Sequence, residues 1–522
     1  MPATGAYAAD VLARLRDFVS AKTHWQRRLW TVGLALELRE VIEASDAVAM
    51  SVLSQEALSW LTERVRRHVA ADPGAGDARE RGAAIEYLKR DLAMNGLSYL
   101  VLRQITDDVS ANYLARWAAE LRNATALPGP ERTARALAAH LLDSGLGPST
   151  LTNWLDGFEA GHPTLDIADL CDDAQSLIDA PREHFRVLVP LAAVDANPAT
   201  RPAEWIRSEL AIAWLRGNGF SDLRLSQKGG LLLEIDACDE EAALSAIADT
   251  IDRFMARVVV GSASRFQFHE NVYFAGGKIV RRTRPRRWVE VHALSRADAV
   301  HDLRGAGPID SALELLAHLE TAAPPVAVAA GWSAIESLLV GPGTRSNVVA
   351  GDRLASLVTC SWPRAELTDL AWGKARQKDD ALCTELFRLK TNREKALRLS
   401  KELQVGNEVV LQEASDVAAA KRMSKLLADP KSVLVDVQLH VSEAFRRLYR
   451  VRNIILHGGQ VSPVALNATL RSVPPLAGAG MDRLTHAYLV SGRLPLEVAA
   501  RAELEIARAG STGAPALVDI LE

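Results

Sequence analysis

The chain has 522 residues, 48% of them hydrophobic and 24% charged, with a formal net charge of −4. These are the proportions of an ordinary globular protein of about two to four domains, at roughly 100–200 residues each. They exclude a chain that coats nucleic acid through bulk positive charge, so any such contact must come from a local patch. Cys171, Cys238, Cys360 and Cys383 are scattered, with no C-x-x-C pair. That argues against a zinc site or a disulfide framework and fits a reducing cytosol. The first residues, M-P-A-T-G-A-Y-A-A-D, lack the basic-then-apolar layout of a signal peptide. The most apolar run, 326–340, is interrupted by Glu336 and is too short to span a bilayer. The expectation is a cytoplasmic protein with no membrane partner.

Residues 1–180 read as helices. Val11, Leu12, Leu15, Phe18 and Val19 make a first amphipathic face, and Trp30, Leu34, Leu36 and Leu38 continue helical material. Further helices are predicted over 57–69 and 83–94, and another opens after Leu127-Pro-Gly-Pro, with Glu131 in its first turn. Residues 133–142 and 149–158, joined by a turn at Gly145, have a helix-turn-helix outline. The second helix carries Asp156 but no Lys or Arg, which suits a phosphate backbone poorly. A helical hairpin within a bundle is the better expectation.

Residues 181–295 change character. Short β-rich runs at 185–191, 230–236, 265–274, 278–282 and 287–291 alternate with helices over 202–215 and from Asp239 onward. This predicts a small α/β sandwich, helices on one face of a mostly antiparallel sheet. No G-x-x-x-x-G-K-[ST] or G-x-G-x-x-G loop is present, so P-loop nucleotide hydrolysis is not expected. The block ends in the densest positive cluster: Lys278, Arg281, Arg282, Arg284, Arg286 and Arg287, then Trp288. Guanidinium groups beside an aromatic ring suit single-stranded RNA, phosphates on the cations and a base on the ring. The same cluster also fits a sheet edge kept basic to prevent edge pairing.

Residues 305–522 return to helix, predicted over 309–319, 327–339, from 352 to 358, 433–456 and 484–507. Between them, 367–427 is charged throughout and is expected to be a solvated helical insertion or hairpin. The chain as a whole therefore reads as α+β, mainly α, in three regions: 1–180 helical, 181–300 α/β, and 305–522 a helical bundle.

The functional information concentrates at 444–460. Phe445, Leu448, Val451, Ile455 and Leu456 form a helical stripe that stops at Gly458-Gly459. Before that stop stand Arg452, Asn453 and His457, polar groups that need a reason at the end of an apolar helix. Histidine titrates near neutrality and can move a proton from a 2′-hydroxyl or to a leaving oxygen. A guanidinium can hold a phosphate and the added charge of its transition state. The pair thus suits RNA cleavage without a metal or cofactor, and the DNA backbone lacks the internal nucleophile. The plainer reading is a histidine capping a helix C-terminus. Five helical steps put Arg452 and His457 about 140° apart, with Asn453 and His457 on one face. A groove shared by two copies around a two-fold axis would complete such a site, which argues for a homodimer.

The stretch Y-R-V-R-N-I-I-L-H-G-G at 449–459 resembles the signature of the HEPN superfamily, often written R-N-x-x-x-H at a helix end. The upstream W-S-A-I-E-S-L-L beginning at Trp332 is similar to an early helix of the Apea-like HEPN group. The resemblance covers roughly 310–500 and implies an all-α, dimerising domain. Active members are metal-independent endoribonucleases of phage defence, toxin–antitoxin and CRISPR effector systems. Carried over, Arg452 and His457 would be catalytic and Asn453 the polar neighbour of the arginine. RNA, a second copy, and a regulatory partner or antitoxin are the partners so implied. Other HEPN-like domains bind RNA or a partner protein without catalysis.

Overall fold

A computed structural model describes residues 3–194, 202–221, 228–261, 266–282, 284–302, 307–377 and 380–522. Its N-terminal part is helical where the sequence period is helical: α1 (Gly5–Val19), α2 (Leu34–Ala49), α3 (Gln55–Ala71), α4 (Ala78–Leu88), α5 (Leu97–Asn123) and α6 (Pro130–Asp143). In α1 the whole predicted face, Val11, Leu12, Leu15, Phe18 and Val19, is buried. Ser54 opens α3 by accepting the Ala57 N–H, and Asp77 with Glu80 forms a capping box at the head of α4. The helix predicted over 83–94 ends sooner, at Leu88. Asn95 takes a left-handed conformation, and α5 starts afresh two residues later.

Two further helices, α7 (Pro148–Gly161) and α8 (Ile167–Asp179), precede the strands. The helix-turn-helix outline offers no free recognition surface at Ser149, whose hydroxyl donates to Glu241 at 2.6 Å. Then follow β1 (Glu183–Val194), β2 (Trp205–Ile206), α9 (Ser208–Gly217), β3 (Gly230–Ala237), α10 (Glu240–Gly261), β4 (Phe266–Phe268), β5 (Asn271–Phe274) and β6 (Lys278–Arg281). The order across the sheet is β2-β3-β1-β5-β6, with β4 on β1, and every pairing is antiparallel.

Helices cover both faces of this sheet, not one as predicted. Val187, Val189, Val272 and Phe274 point to α10, while Leu188 and Tyr273 point to Ala211 and Leu215 of α9. The physical reason lies in the strands. Both alternating faces of β1 and β5 are apolar, so each needs its own cover. Asp239 caps α10 as expected, accepting the Ala242 N–H at 2.8 Å. Two strand predictions fail. The run 265–274 is interrupted between β4 and β5, with Arg265 itself outside the described residues, and 287–291 is not a strand because Trp288 adopts a positive φ of 62°.

The remainder is helical: α11 (His292–Arg296), α12 (Pro308–Thr321), α13 (Pro324–Leu339), α14 (Val349–Gln377), α15 (Ala381–Arg388), α16 (Asn392–Val405), α17 (Ala414–Ala428), α18 (Pro430–Gly458), α19 (Leu466–Ser491) and α20 (Pro495–Arg508). The stretch 367–427 is not a solvated insertion. Leu370, Leu386, Leu399, Met423 and Leu426 are buried in the same core as Trp332 and Phe445. Many of its charges lie on outer helix faces, where some are paired, as Arg398 is with Glu385 and Glu402, while Lys374 and Lys395 are buried. The result is a mainly α, α+β protein of 20 α-helices and 6 strands among the described residues.

By packing, the chain divides into two units. A helical unit comprises Met1–Asp143, Trp154–Gln175 and Arg287–Glu522; a sheet unit comprises Ser144–Asn153 and Ser176–Arg286. The helices at the two ends of the sequence thus belong to one unit. No helix of the described residues is long and apolar enough to cross a membrane.

Candidate functional site

The site is built on α18. Pro430 occupies its first turn, and Asp429 caps it by accepting the Ser432 N–H. Gly459 ends it in the left-handed conformation at φ 68°, where a side chain would be strained. Phe445, Leu448 and Val451 are buried in the C-terminal core, each large apolar side chain there contributing about 2–3 kcal/mol by leaving water.

A second stripe of α18, Glu443, Arg447 and Arg450, recurs at helical spacing and is buried against the N-terminal helices. Arg447 is fully buried. Its Nε donates to Glu40 of α2 at 3.0 Å and its Nη2 to Glu443 at 3.4 Å. Arg450 Nη2 donates to Glu40 at 3.1 Å and to Glu443 at 2.8 Å. The chain of charge continues through Arg64, 3.4 Å from Glu443 and 3.5 Å from Glu37, to His68, which meets both Glu37 and Asp72. Asp72 in turn accepts from the Tyr113 hydroxyl and the Trp117 indole. Burial alone would push the Glu443 carboxyl up, but Arg64, Arg450 and Arg447 outweigh it and hold it below the ordinary carboxylate range. Burial likewise opposes charge on His68, yet Glu37 and Asp72 raise it well above the usual histidine range. This network was legible only in part: E-x-x-x-R-x-x-R at 443–450 is a charged stripe on a helix whose other face is apolar.

Beyond the last pair of this network the helix reaches its open end. Arg452 Nη1 lies 2.9 Å from Asn453 Oδ1 and 3.1 Å from His457 Nε2. Asn453 is buried and His457 exposed, so the carboxamide is a fixed acceptor that aims the guanidinium at the imidazole. A guanidinium only donates, so the Nε2 lone pair accepts in this arrangement and the ring proton sits on Nδ1. The angular separation on the helix therefore does not keep the two apart. The long arginine stem lies along the helix surface and closes the gap. One copy brings arginine, asparagine and histidine together, and the geometric argument that a second copy is needed for their meeting falls away.

Beside this end a cavity of about 410 Å³ opens between α2, α5 and the last turn of α18, lined by Arg39, Glu43, Tyr99, Arg103, Ile454 and Gln460 among others. Glu43 was not singled out from the sequence, where nothing in α2 marks it. Its Oε1 accepts from Gln460 Nε2 at 2.7 Å and from the Val464 N–H at 3.0 Å, tying down the segment that follows the motif. Burial pushes the Glu43 carboxyl up to about 7, and Glu40 and Asp46 add to the rise against those two hydrogen bonds. A carboxyl whose folded pKa is raised stabilises the fold below its ordinary pKa and loses that contribution as pH rises toward 7. Glu43→Gln keeps the accepting oxygen and removes the titration. It is expected to gain up to about 3 kcal/mol over the wild type at pH 8 and little at pH 4.5. Denaturant unfolding of both proteins at the two pH values checks this.

The predicted RNA-binding residues fall in both units: Arg281, Arg282, Arg284 and Arg286 in the sheet unit, Arg287 and Trp288 in the helical unit. Intramolecular acceptors take up most of these cations. Arg281 pairs with Glu270, and Arg284 with Asp249 and Asp252. The Arg282 guanidinium lies 5.8 Å from the Phe268 ring centroid, while Arg286 is exposed. Arg287 Nη1 donates to the Leu319 and Ala322 carbonyls at 3.0 and 2.8 Å, and the Arg28 guanidinium covers the Trp288 ring. Among the described residues no group of three or more His, Cys, Asp or Glu is placed to hold a metal ion. No protein-family model, curated protein or solved structure matches the chain.

Proposed function

We propose that the chain is an endoribonuclease whose reaction is carried by Arg452 and His457 at the end of α18. The observation that carries the proposal is the 3.1 Å approach of Arg452 Nη1 to His457 Nε2 on an exposed helix end, with Asn453 fixing the guanidinium. A scissile phosphate arriving there offers the guanidinium a stronger, charge-assisted acceptor than a neutral imidazole. As Arg452 turns to it, the His457 Nε2 lone pair is released. His457 then takes the proton of the 2′-hydroxyl, the 2′-oxygen bonds to phosphorus, and the P–O5′ bond breaks. The products are a 2′,3′-cyclic phosphate and a 5′-hydroxyl. The proton on the departing oxygen must come from a second acid, which the homodimer suggested by the HEPN resemblance would supply as a second histidine. Action in phage defence or as a toxin rests on that resemblance.

Purified protein incubated with end-labelled single-stranded RNA in EDTA is expected to give fragments ending in 2′,3′-cyclic phosphate. Intact RNA under those conditions would overturn the assignment. A binding module without catalysis is the second reading, favoured by the guanidinium sitting on the lone pair that a base would use. It predicts RNA retention without products in the same experiment.

A further inference from the structure

The helical unit holds a second cavity, at the opposite end of α18. Its volume is about 160 Å³, and it lies between α1, the 26–31 segment, α6, α17 and the first turns of α18. His440 on its wall stands 17 residues before His457, which on a straight helix is about 25 Å. The cavity is therefore separate from the Arg452–His457 pair and independent of the function proposed for it.

Cations outnumber acids in its lining: Arg14, Arg28, Arg135, Arg422 and Lys425 against Glu131 and Asp436. Some of that charge is already committed. Arg14 is held by Asp17 and Glu131, and Arg28 donates to the Thr23 and Ala21 carbonyls. The remainder is less fully satisfied. Arg422 gives Nη2 to Glu366 at 3.2 Å, but its Nη1 is buried with no hydrogen-bond partner, 3.6 Å from the nearest Glu131 oxygen. The Thr31 hydroxyl is also buried without a partner, in a residue only 7% exposed. Arg135 makes a long 3.4 Å contact to Glu131 and gives Nη1 to His440 Nε2 at 2.9 Å. Lys425 stands exposed.

A buried N–H or O–H left without an acceptor costs about 1–3 kcal/mol. Here two such donors belong to residues that line one space, beside cations that would favour an acceptor of negative charge. His440 agrees with that field: burial and then Arg135 hold it below the ordinary histidine range, so it does not compete as a further cation. The other walls are apolar, formed by Phe18, Trp30, Trp362 and Val437. In size the cavity is comparable to one of about 150 Å³ that accommodates benzene.

We propose that this cavity binds a small organic anion: one phosphoryl or carboxylate group, on a body no larger than a single six-membered ring. The anionic head would take Arg422 Nη1, the Thr31 hydroxyl, Arg135 and Lys425 as donors, and the ring would lie against Phe18, Trp30 and Trp362. A guanidinium fork suits either head group, so the probes separate them: phenyl phosphate, benzoate and inorganic phosphate.

Titration calorimetry and thermal unfolding of the full chain are the tests. Saturable binding of phenyl phosphate or benzoate, at least tenfold tighter than inorganic phosphate, is expected. It should weaken at least tenfold in Lys425→Ala, an exposed position that leaves packing intact, and in Arg135→Ala. Lys421→Ala, whose ammonium pairs with Asp10, should bind as the wild type does. No saturable binding of either organic probe, or binding unchanged in Lys425→Ala with Arg135→Ala, would overturn the proposal.

Discussion

His457→Ala is expected to lower RNA cleavage by a factor of about 10²–10⁴, the range that a positioned general acid or base supplies. The unfolding midpoint should not move, because the side chain is exposed and its one hydrogen bond is to Arg452. Arg452→Ala should match that loss, since it removes the group that would hold phosphate. Arg452→Lys restores a point charge without the fork that reaches Asn453 and His457 together, so partial rescue is the expectation. The double variant should be little worse than either single one if the two act as a unit. Cleavage rates on one labelled RNA, read beside denaturant curves, decide this. Equal rates for wild type and His457→Ala would remove the histidine from the chemistry.

Arg447→Ala should show the reverse pattern. Its guanidinium is fully buried between Glu40 and Glu443, and removing it leaves two buried carboxylates with one shared cation, Arg450, between them. Breaking a buried ion pair by deleting one member typically costs about 3–5 kcal/mol. Arg446→Ala is the internal control. Arg446 pairs with Asp352 at a partly exposed site and stacks on Trp60, so its loss should cost about 1 kcal/mol. Because Glu40 lies on α2 and Arg447 on α18, the Arg447 loss should also show as faster amide exchange in α2. Equal midpoints for the two alanine variants would mean that the buried network contributes no more than a surface pair.

The two results together would separate what the sequence discloses easily from what it conceals. The apolar periods of α1 and α18 and the glycine stop after His457 are local signals, and the structure follows them. Two long helices are legible only in part, α14 over 352–358 and α19 from 484 onward. α14 continues through Pro363 and α19 through Pro474 and Pro475, all three buried within long helices whose packing outweighs the missing hydrogen bonds. The charged stretch 367–427 misleads differently: composition records how many charges a helix carries, not which face they occupy. At the site, the helical spacing of Arg452 and His457 fixed where their Cβ atoms point but not where a long side chain ends. Glu40 and Glu43 could not be found from spacing at all, because their partners lie some 400 residues further along the chain, at Arg447 and Gln460.

That separation has a consequence for how the molecule comes into being. The sheet unit and its flanking segments intervene between the two halves of the helical unit. During synthesis, at about 5–20 residues per second, α2 and α3 emerge tens of seconds before the arginines that neutralise them. For that interval Glu40 has no Arg447 and no Arg450, and α2 cannot bury that carboxylate at low energy, whereas Glu37 already has Arg64 and His68 of α3. The nascent chain holds half a core waiting for its counter-ions, and Arg452 and His457 arrive with the same helix that supplies them. The candidate site and the counter-ions of Glu40 are thus delivered together, so a chain interrupted before α18 would have neither.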